Sequence, residues 1–360
     1  MNPETSAPEA VSDLIRRAEA AGASDIHLQM TGPETGATVA FRLDGVLAPV
    51  SQLPADLAER SFGRIKFLAR LKTYQESLPQ DGRINKADTG AQHDIRVATY
   101  PTVTGEKIVL RLFQQASVAL PGDLGFPADL RADLERFLAS QSGLLLLTGP
   151  AGSGKTTTIY ACLRHLAKQG GRHIITVEDP VEQILPGVMQ TEVNEARGLT
   201  FAVAARHLLR QDPQVLVLGE IRDDETANLA VRAALTGHLV ISTLHAGSCQ
   251  GVFERLLLMG PDVHAVTSAV ELVLNQRLLR RRCAACVGQG CAACLQTGYH
   301  GRIPVVETVR VDAPLRRRLR SAGPDVIAPG LTLEAAAREV LARGLSDARE
   351  YARVFGNAPE

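Results

Sequence analysis

The 360-residue chain has few aromatic side chains, few cysteines and no net charge, and each shortage argues against a class of protein. It contains no Trp and five Tyr, so it offers little for the stacking surfaces that hold single-stranded nucleic acid. Its 39 basic and 39 acidic residues cancel, which removes any overall attraction to nucleic acid or to an anionic membrane. Six Cys are too few for a disulfide scaffold.

Long apolar runs are also lacking. No run approaches the roughly 18 to 20 residues that a membrane-spanning helix needs, so direct membrane insertion is not expected. Residues 1–10 are polar and acidic, unlike a signal peptide. The composition is otherwise that of a globular protein, and the length allows about two domains. We therefore expect a cytoplasmic protein.

The pattern of apolar residues changes along the chain. Residues 1–113 mix short strand-like and helical segments, which predicts a small α+β domain. Residues 114–128 are rich in Pro and Gly and predict a linker. In residues 129–360, short apolar strands alternate with helices, which is typical of an α/β domain with a parallel sheet covered on both faces. The strands are expected at 144–147, 174–177, 215–218 and 239–242, with a helix over 264–279 and two helices within 312–356.

A glycine-rich loop follows the first strand of the second domain. It reads Gly149-Pro150-Ala151-Gly152-Ser153-Gly154-Lys155-Thr156-Thr157, of which the first eight residues fit G-x-x-x-x-G-K-[ST]. The glycines let backbone N–H groups turn toward phosphate oxygens, and the following helix N-terminus adds a favourable dipole. In such a P-loop, Lys155 binds the β- and γ-phosphates of ATP and Thr156 binds Mg²⁺. A chance glycine-rich loop is the alternative, and the strand before it and the helix after it argue against that.

Acidic residues end two of the neighbouring strands. Glu220 ends the strand 215–218, where Gly219 takes the place of the Asp that precedes this carboxylate in many P-loop enzymes, and Glu178 ends the strand 174–177. The carboxyl ends of parallel strands form the ligand-binding edge of such a sheet. Either Glu178 or Glu220 could orient the attacking water, and Glu220 could bind Mg²⁺ through water instead. Each could alternatively be a solvated loop acid.

His245 follows the strand 239–242. Such a His is commonly a structural residue with its hydrogen bonds satisfied. If the strand tip faces the phosphates, His245 would instead sense the γ-phosphate.

Four cysteines lie within twelve positions. They form Cys283-x-x-Cys286-x4-Cys291-x-x-Cys294, and two C-x-x-C turns supply the four thiolates of a closed tetrahedral Zn²⁺ site. A redox pair or unmetallated thiols remain alternatives. With four ligands from protein there is no coordination place for water, so the metal would be structural. The other two cysteines, Cys162 and Cys249, are predicted to be small core residues.

Taken in order, these motifs resemble one family. Over roughly residues 22–310 the chain is similar to the secretion ATPases of the type II secretion and type IV pilus assembly class, hexameric motors that drive pilus or pseudopilus subunits. The resemblance is carried by Ser24-Asp25-Ile26-His27, Arg42-Leu43-Asp44-Gly45, Asp81-Gly82-Arg83, the P-loop, Val177 to Glu182, Gly219 to Asp223, Thr236 to His245, and the paired C-x-x-C with Thr297 to Arg302.

The resemblance implies more than the residues alone do. It implies a P-loop, RecA-like ATPase domain with a smaller α+β N-terminal domain and a small zinc-binding insertion at 280–302 within residues 129–360. Arg96 and Arg111 occupy the arginine-finger positions of the family, although they could be surface or inter-strand charges. The implied cofactors are ATP, Mg²⁺ and Zn²⁺. The implied partners are five further copies in a homo-hexamer and an integral inner-membrane platform protein, which would hold the chain peripherally at the inner membrane; no specific nucleic acid is implied.

The resemblance leads us to expect Mg-dependent ATP hydrolysis that powers assembly of a pseudopilus or pilus for protein secretion across the bacterial envelope. Family members of this branch usually carry a further N-terminal domain that docks on a membrane partner, and the resemblance here begins close to residue 22. A pilus-retraction or DNA-uptake motor of the same family is the alternative, and the four cysteines argue against retraction. A DNA-translocating ATPase would need a basic groove with aromatics, and a catalytically silent zinc scaffold would need a damaged P-loop.

Overall fold

The computed structural model describes residues 6–32, 34–112 and 119–358. Contacts between residues divide the chain into two compact units, Met1–Gln115 with Arg280–Arg302, and Ala116–Leu279 with Ile303–Glu360. Five of the expected linker residues, 114–118, lie outside the described residues, and the following helix begins at Ala128. Among the described residues, none of the helices is long and apolar enough to cross a membrane.

The first unit is an antiparallel sheet with two helices. Helix α1 begins with a capping box in which Ser6 and Glu9 bond each other's backbone N–H groups. The strand order within the described residues is β3-β2-β1-β6-β5-β4, with every described pairing antiparallel. The elements in chain order are α1 (Ala7–Ala20), β1 (Asp25–Gly32), β2 (Gly36–Leu43), β3 (Val46–Leu53), α2 (Ala55–Leu68), β4 (Gln80–Ile84), β5 (Ile95–Thr102) and β6 (Gly105–Leu112).

The two faces of this sheet differ in polarity because side chains alternate along each strand. Ile26 and Leu28 of β1 point into a core that α1 and α2 cover, together with Phe41 of β2 and Leu110 of β6. Burial of these side chains stabilises the unit by about 2 kcal/mol for each large apolar group. The opposite face is polar and carries the arginines of β5 and β6.

The second unit is built on a mainly parallel sheet. Its strand order in the described residues is β13-β12-β7-β11-β10-β8-β9, with the P-loop strand β7 between β12 and β11. The strands and helices in chain order are α3 (Ala128–Ala139), β7 (Gly143–Thr148), α4 (Lys155–Gln169), β8 (Ile174–Glu178), β9 (Met189–Glu192), α5 (Phe201–Leu208), β10 (Val215–Ile221), α6 (Asp224–Leu235), β11 (Leu239–Leu244), α7 (Cys249–Leu258), α8 (Val263–Ala269), β12 (Val270–Arg282), β13 (Tyr299–Arg310), α9 (Ala313–Ala322), α10 (Leu333–Ala342) and α11 (Ala348–Phe355).

Burial on both faces explains why four of these strands are recognisable in the sequence. Every residue of β7, β8 and β11 is buried, as are the first four of β10. One apolar cluster lies on each side of the sheet, with Leu144 and Leu146 in one and Leu145 and Leu147 in the other. The α/β architecture expected from the sequence is confirmed.

The helix expected over residues 264–279 is wrong. Only Val263–Ala269 is helical, and Val270–Arg282 is the long strand β12. This segment pairs in parallel with β7, so Val270 and Val273 bury their branched side chains against the central strand. The segment 312–356 holds three helices in its described residues instead of the expected two, because Pro324 and the turn around it separate α9 from α10.

The cysteine segment also differs from its expected assignment. The sequence placed 280–302 with the ATPase domain, whereas contacts group Arg280–Arg302 with the N-terminal residues. Gly301 N donates to Asp44 Oδ2 at 2.8 Å, and Leu295 packs against the apolar core of the first unit. The segment runs from the last residues of β12 to the first residues of β13 but belongs to the same compact unit as the N-terminal sheet.

Candidate functional site

The glycine-rich loop connects the buried strand β7 to the N-terminus of α4. Gly149 has φ of +140°, and a Cβ there would lie 2.4 Å from Gln276 O. Only glycine fits at this position, because both the backbone angle and the close approach of β12 exclude a side chain. The loop can therefore turn its N–H groups toward a phosphate while packing against the sheet.

Lys155 and Ser153 provide the polar side chains of the loop. Lys155 Nζ donates to Gly149 O at 2.7 Å and to Pro150 O at 3.0 Å. Burial lowers the pKa of Lys155, opposed by the nearby Glu220 carboxylate. The hydroxyl oxygen of Ser153 is buried and has no hydrogen-bond partner in the described residues. A buried hydroxyl without a partner is costly, and a bound phosphate oxygen would satisfy it.

The remaining loop positions are exposed. Pro150, Ala151 and Gly152 are at the surface, and Thr156 and Thr157 are exposed at the start of α4. Thr156 lines a pocket together with Lys155, whereas Thr157 is not among the residues that line it. Of the two threonines, Thr156 therefore has the position that the sequence assigned to a Mg²⁺ ligand.

That pocket, called here the P-loop pocket, contains most of the expected side chains. The structure brings together Lys155, Thr156, Glu178, Glu220 and His245 in its wall. They come from α4 and from the carboxyl ends of β8, β10 and β11, which lie side by side in the sheet. The convergence follows from the parallel topology, because each strand ends at the same edge.

Two side chains, those of His245 and Arg222, contact the Glu220 carboxylate. His245 Nε2 lies 2.9 Å from Glu220 Oε1, and Arg222 Nε donates to Glu220 Oε2 at 2.9 Å. Arg222 also reaches Asp179 Oδ2 at 3.5 Å. The side chain of His245 is half exposed and contacts a carboxylate of the pocket, so it is not an enclosed structural histidine. Because His245 contacts Glu220, a change in the partners of Glu220 would also affect His245.

Glu178 has a different environment, because it is buried and receives three hydrogen bonds. Thr176 Oγ1 donates to Oε1 at 2.6 Å, Gln190 Nε2 donates to Oε1 at 3.0 Å, and Tyr160 OH donates to Oε2. The peptide bond between the next two residues, Asp179 and Pro180, is cis. Glu178 is thus a fixed acceptor in the pocket wall, whereas Glu220 is on the partly open side.

Several residues that line the pocket or support the loop were not singled out from the sequence as site residues. Tyr160, Asp179, Phe201, Arg222 and Thr243 line the pocket. Tyr160 could have been identified from the sequence, since a Tyr on the apolar face of α4 needs a hydrogen-bond partner for its hydroxyl. Phe201 could not, because a single Phe at a helix start is an ordinary core residue.

Arg96 and Arg111 lie in the first unit, on the polar face of its sheet. Five cross-strand partners form one row across the sheet, which we call the arginine row: Arg83, Arg96, Arg111, Asp25 and Arg42. Arg111 Nε donates to the buried Asp25 at 3.0 Å, and Arg42 Nε lies 3.3 Å from the other oxygen of Asp25. One buried carboxylate therefore holds two guanidinium groups, while 66% of the Arg111 side chain stays accessible.

The four cysteines form a cluster whose sulfur atoms lie within 4.8 Å of one another. The measured Sγ–Sγ separations are 3.9 Å for Cys283 and Cys291, 3.8 Å for Cys286 and Cys294, and 3.7 Å for Cys291 and Cys294. A tetrahedron with Zn–S bonds of about 2.3 Å has sulfur–sulfur edges of about 3.8 Å. The cluster is therefore compatible with Zn²⁺.

Backbone N–H groups surround this cluster. Burial opposes ionisation of Cys294, but N–H groups of Cys291 and Gly298 donate to its sulfur and hold its pKa at about 6. Gly298 has φ of +79°, and a Cβ there would lie 2.4 Å from Gly288 O. The glycine lets the two turns approach closely, and the donors favour thiolate, the form that binds metal.

Comparison with known proteins agrees with this geometry. Residues 4–353 match the family described as "Type II/IV secretion system protein". The chain is 43% identical over 316 residues to the type II secretion system protein HxcR of Pseudomonas aeruginosa, covering 85% of this chain and 67% of HxcR. It is 38% identical over 344 residues to the type IV pilus assembly ATPase PilB of Thermus thermophilus, covering 88% of this chain and 38% of PilB.

A solved structure shows the same fold. The Legionella pneumophila ATPase DotB superposes with a TM-score of 0.75, covers 99% of this chain and 98% of its own, and is 20% identical. At that identity the likeness concerns the fold alone. The match over residues 4–353 and the 43% identity to HxcR show that this chain belongs to the type II/IV secretion system protein family and, with its P-loop pocket, is an ATPase.

Proposed function

We propose that this ATPase powers assembly of a pseudopilus or pilus for protein secretion across the bacterial envelope. The observation that carries the proposal is the convergence of Lys155, Thr156, Glu178 and Glu220 in one pocket, in a chain that also carries the four-cysteine cluster. The pocket supports ATP hydrolysis. The cluster favours the secretion and assembly branch over retraction motors, which as a group are not expected to carry it.

The P-loop residues would hold the triphosphate. Backbone N–H groups of residues 149–156 and the N-terminus of α4 would contact phosphate oxygens, and Lys155 would bind the β- and γ-phosphates. Thr157, beside Thr156 on α4, would add contacts toward the α-phosphate. The buried Ser153 hydroxyl would gain the partner that the described residues do not give it. Binding in this way leaves the γ-phosphate facing the carboxylates of β8 and β10.

The oxygen groups of the pocket fit Mg²⁺. The Thr156 hydroxyl and the carboxylates of Glu178, Asp179 and Glu220 are the hard oxygen donors that this ion prefers, and all four line the pocket. When bound, Mg²⁺ neutralises charge on the β- and γ-phosphates during transfer. Thr156 would contact the ion directly, and Glu220 would reach it through water.

We propose that Glu220 is the carboxylate that orients the attacking water. Glu220 is contacted by His245 and Arg222, which a γ-phosphate could draw away, leaving its oxygens free to accept from water. Glu178 already accepts three hydrogen bonds and would support the water and metal shell from the buried side. His245 would then report the γ-phosphate through its contact with Glu220.

Arg96 and Arg111 would complete the site. Phosphoryl transfer spreads charge over three oxygens, and a guanidinium pairs with phosphate bidentately and stays charged. We propose that these residues act as arginine fingers toward an ATPase unit within a homo-hexamer. The integral inner-membrane platform protein of the secretion or pilus system would be the membrane partner, with the motor at the cytoplasmic face.

A genetic experiment tests the direction of the motor. The gene is deleted in its own bacterium and restored with either wild type or the Lys155→Ala variant, and surface pili and secreted protein are measured. For an assembly motor, deletion removes the filaments and secretion, and only wild type restores them. An excess of filaments after deletion would indicate a retraction motor and would contradict the proposal.

A further inference from the structure

The P-loop pocket contains a buried hydrogen-bond network around Glu178 whose donor residues have no role of their own in the proposed mechanism. Its centre is the hydroxyl of Tyr160, which lies on α4 five residues after Lys155. We propose that Tyr160 and Gln190 are positioning residues that hold the Glu178 carboxylate in its working orientation. This inference rests on the proposed role of Glu178 and extends it to two residues that act through Glu178.

The direction of the Tyr160 hydrogen bond is fixed by its surroundings. A phenolic oxygen offers one proton and two acceptor positions. Backbone N–H groups of Glu182 and Gln183 donate to the Tyr160 oxygen at 3.2 Å and 3.3 Å, and occupy both acceptor positions. The hydroxyl proton must therefore point to Glu178 Oε2. Burial and the Glu178 carboxylate raise the pKa of Tyr160, so the proton stays on the phenol.

Gln190 of β9 is oriented in the same way from the other side. Its Oε1 accepts from Leu185 N at 2.6 Å, which leaves Nε2 as the donor group. Nε2 donates to Gln183 O at 2.9 Å and to Glu178 Oε1 at 3.0 Å. The amide therefore cannot flip without losing two backbone partners. Tyr160 and Gln190 thus hold both oxygens of Glu178 and the backbone of residues 182–185 in the loop that follows it.

Counting acceptor positions indicates what remains available. A carboxylate has about four lone-pair positions, and three donors occupy Glu178. About one position is left, and the side chain lines the P-loop pocket. The network therefore limits Glu178 to a single further partner in the pocket. Without the Tyr160 proton, the carboxylate can rotate toward solvent, and the loop of Glu182 and Gln183 loses its acceptor on α4.

The experiment measures ATP turnover and ADP affinity for Tyr160→Phe in the wild-type and the Glu178→Gln backgrounds. Tyr74→Phe is the matched control, because it removes the phenol hydroxyl of a residue that is 82% exposed in the other unit. In the wild-type background we expect kcat to fall about tenfold, the loss of one hydrogen bond to a charged group, with ADP affinity changed less than twofold. In the Glu178→Gln background we expect Tyr160→Phe to change kcat less than twofold, because both changes act on one group.

Gln190→Met keeps the positioning test independent of how Tyr160→Phe folds. It removes the second donor to Glu178 from β9, and we expect the same loss of kcat with unchanged ADP affinity. Turnover of Tyr160→Phe equal to that of Tyr74→Phe, or an equal loss in both backgrounds, would overturn the inference. Wild-type turnover in Glu178→Gln alone would instead remove the proposed role of Glu178, so the two failures are distinguishable.

Discussion

Lys155 shows how the fold sets the behaviour of one residue. Its ammonium group lies against two backbone carbonyls of its own loop, and burial lowers its pKa while Glu220 counteracts that effect. Among the residues that the structure describes, the carboxylate that acts on this ammonium group is that of Glu220 across the pocket. A triphosphate supplies negative charge, so binding would transfer Lys155 from the carbonyls to the phosphates.

The first prediction concerns this residue. Lys155→Ala should lower the rate of ATP hydrolysis by about 10²-fold or more, because it removes a fixed cation from the transferring phosphoryl group. Phosphate release from the purified chain measures the effect. Lys168→Ala, an exposed change near the end of the same helix, is the control and should hydrolyse like wild type. Retention of more than a tenth of wild-type turnover by Lys155→Ala would contradict the assignment.

The second prediction separates the two carboxylates. Glu220→Gln and Glu178→Gln should each lower kcat much more than nucleotide affinity, since they act on water and metal and not on the base. The larger loss is expected for Glu220→Gln, because Glu178 already accepts three hydrogen bonds and has about one acceptor position left. Glu225→Gln, an exposed acid on α6, is the matched control. Wild-type kcat in either variant would remove that carboxylate from the mechanism.

At the scale of elements, contiguous patterns were predictable and distant contacts were not. Strands β7, β8, β10 and β11 are mostly apolar because both faces are covered, so the sequence reveals them. Strand β12 begins with the apolar Val270, Leu272, Val273 and Leu274 but follows a helical start, and its periodicity alone cannot distinguish strand from helix. Its pairing with β7 decides the outcome, and that pairing is a tertiary contact.

The same limit applies to the P-loop pocket. Lys155, Thr156 and Glu220 belong to local motifs whose spacing identifies them. The contact between Tyr160 and Glu178 joins residues 18 positions apart, and the contact between Gln190 and Glu178 joins residues 12 apart. Neither has a fixed spacing that a single sequence could reveal. The residues proposed to contact ligand were therefore recognisable in the sequence, whereas those that support them were not.

The third prediction concerns the cysteine segment as an element. The chain should bind one Zn²⁺ through Cys283, Cys286, Cys291 and Cys294, because their sulfur atoms already have tetrahedral spacing. Metal analysis of protein purified without chelator measures this. Chelation should increase amide exchange over residues 280–302 while ADP affinity is unchanged, since metal binding is folding energy for so small a segment.

Two cysteine variants and a minimum metal content test this prediction. Cys162→Ala changes a buried cysteine outside the cluster and should leave the metal content at one equivalent. Cys286→Ser should lower it, because one of four ligands is removed. Less than half an equivalent in the unaltered chain would mean that the thiols are unmetallated.

At the scale of the whole molecule, sequence order and structural grouping diverge. Residues 280–302 are bounded by strands of the ATPase sheet, yet Gly301 bonds Asp44 across 257 positions of sequence. Asp44 lies in the turn between β2 and β3, within a motif that the sequence analysis placed in the N-terminal domain. No local pattern predicts that pairing, because it is a contact within the first unit between residues far apart in sequence.

The last prediction concerns the arginine row and cooperation between chains. Arg111→Ala and Arg96→Ala should leave ATP binding nearly intact and lower hydrolysis about 10³-fold, as expected for a cation that contacts only the transferring phosphoryl group. Arg42 remains beside Asp25 when Arg111 is removed, so the buried carboxylate keeps a charged partner. Arg60→Ala, an exposed change on α2, is the matched control. Phosphate release and ADP affinity measure the two effects.

Mixing experiments then show whether the finger acts between copies. In a hexamer with shared sites, hydrolysis should rise more than linearly with protein concentration, because active sites form only as rings assemble. An Arg111→Ala chain retains an intact P-loop, and a Lys155→Ala chain retains an intact arginine row. Mixing the two should therefore restore part of the activity, since some sites combine the intact half of each. Full activity in dilute monomer would show that each chain completes its own site. Arginine variants that hydrolyse like Arg60→Ala would show that the site does not need these residues.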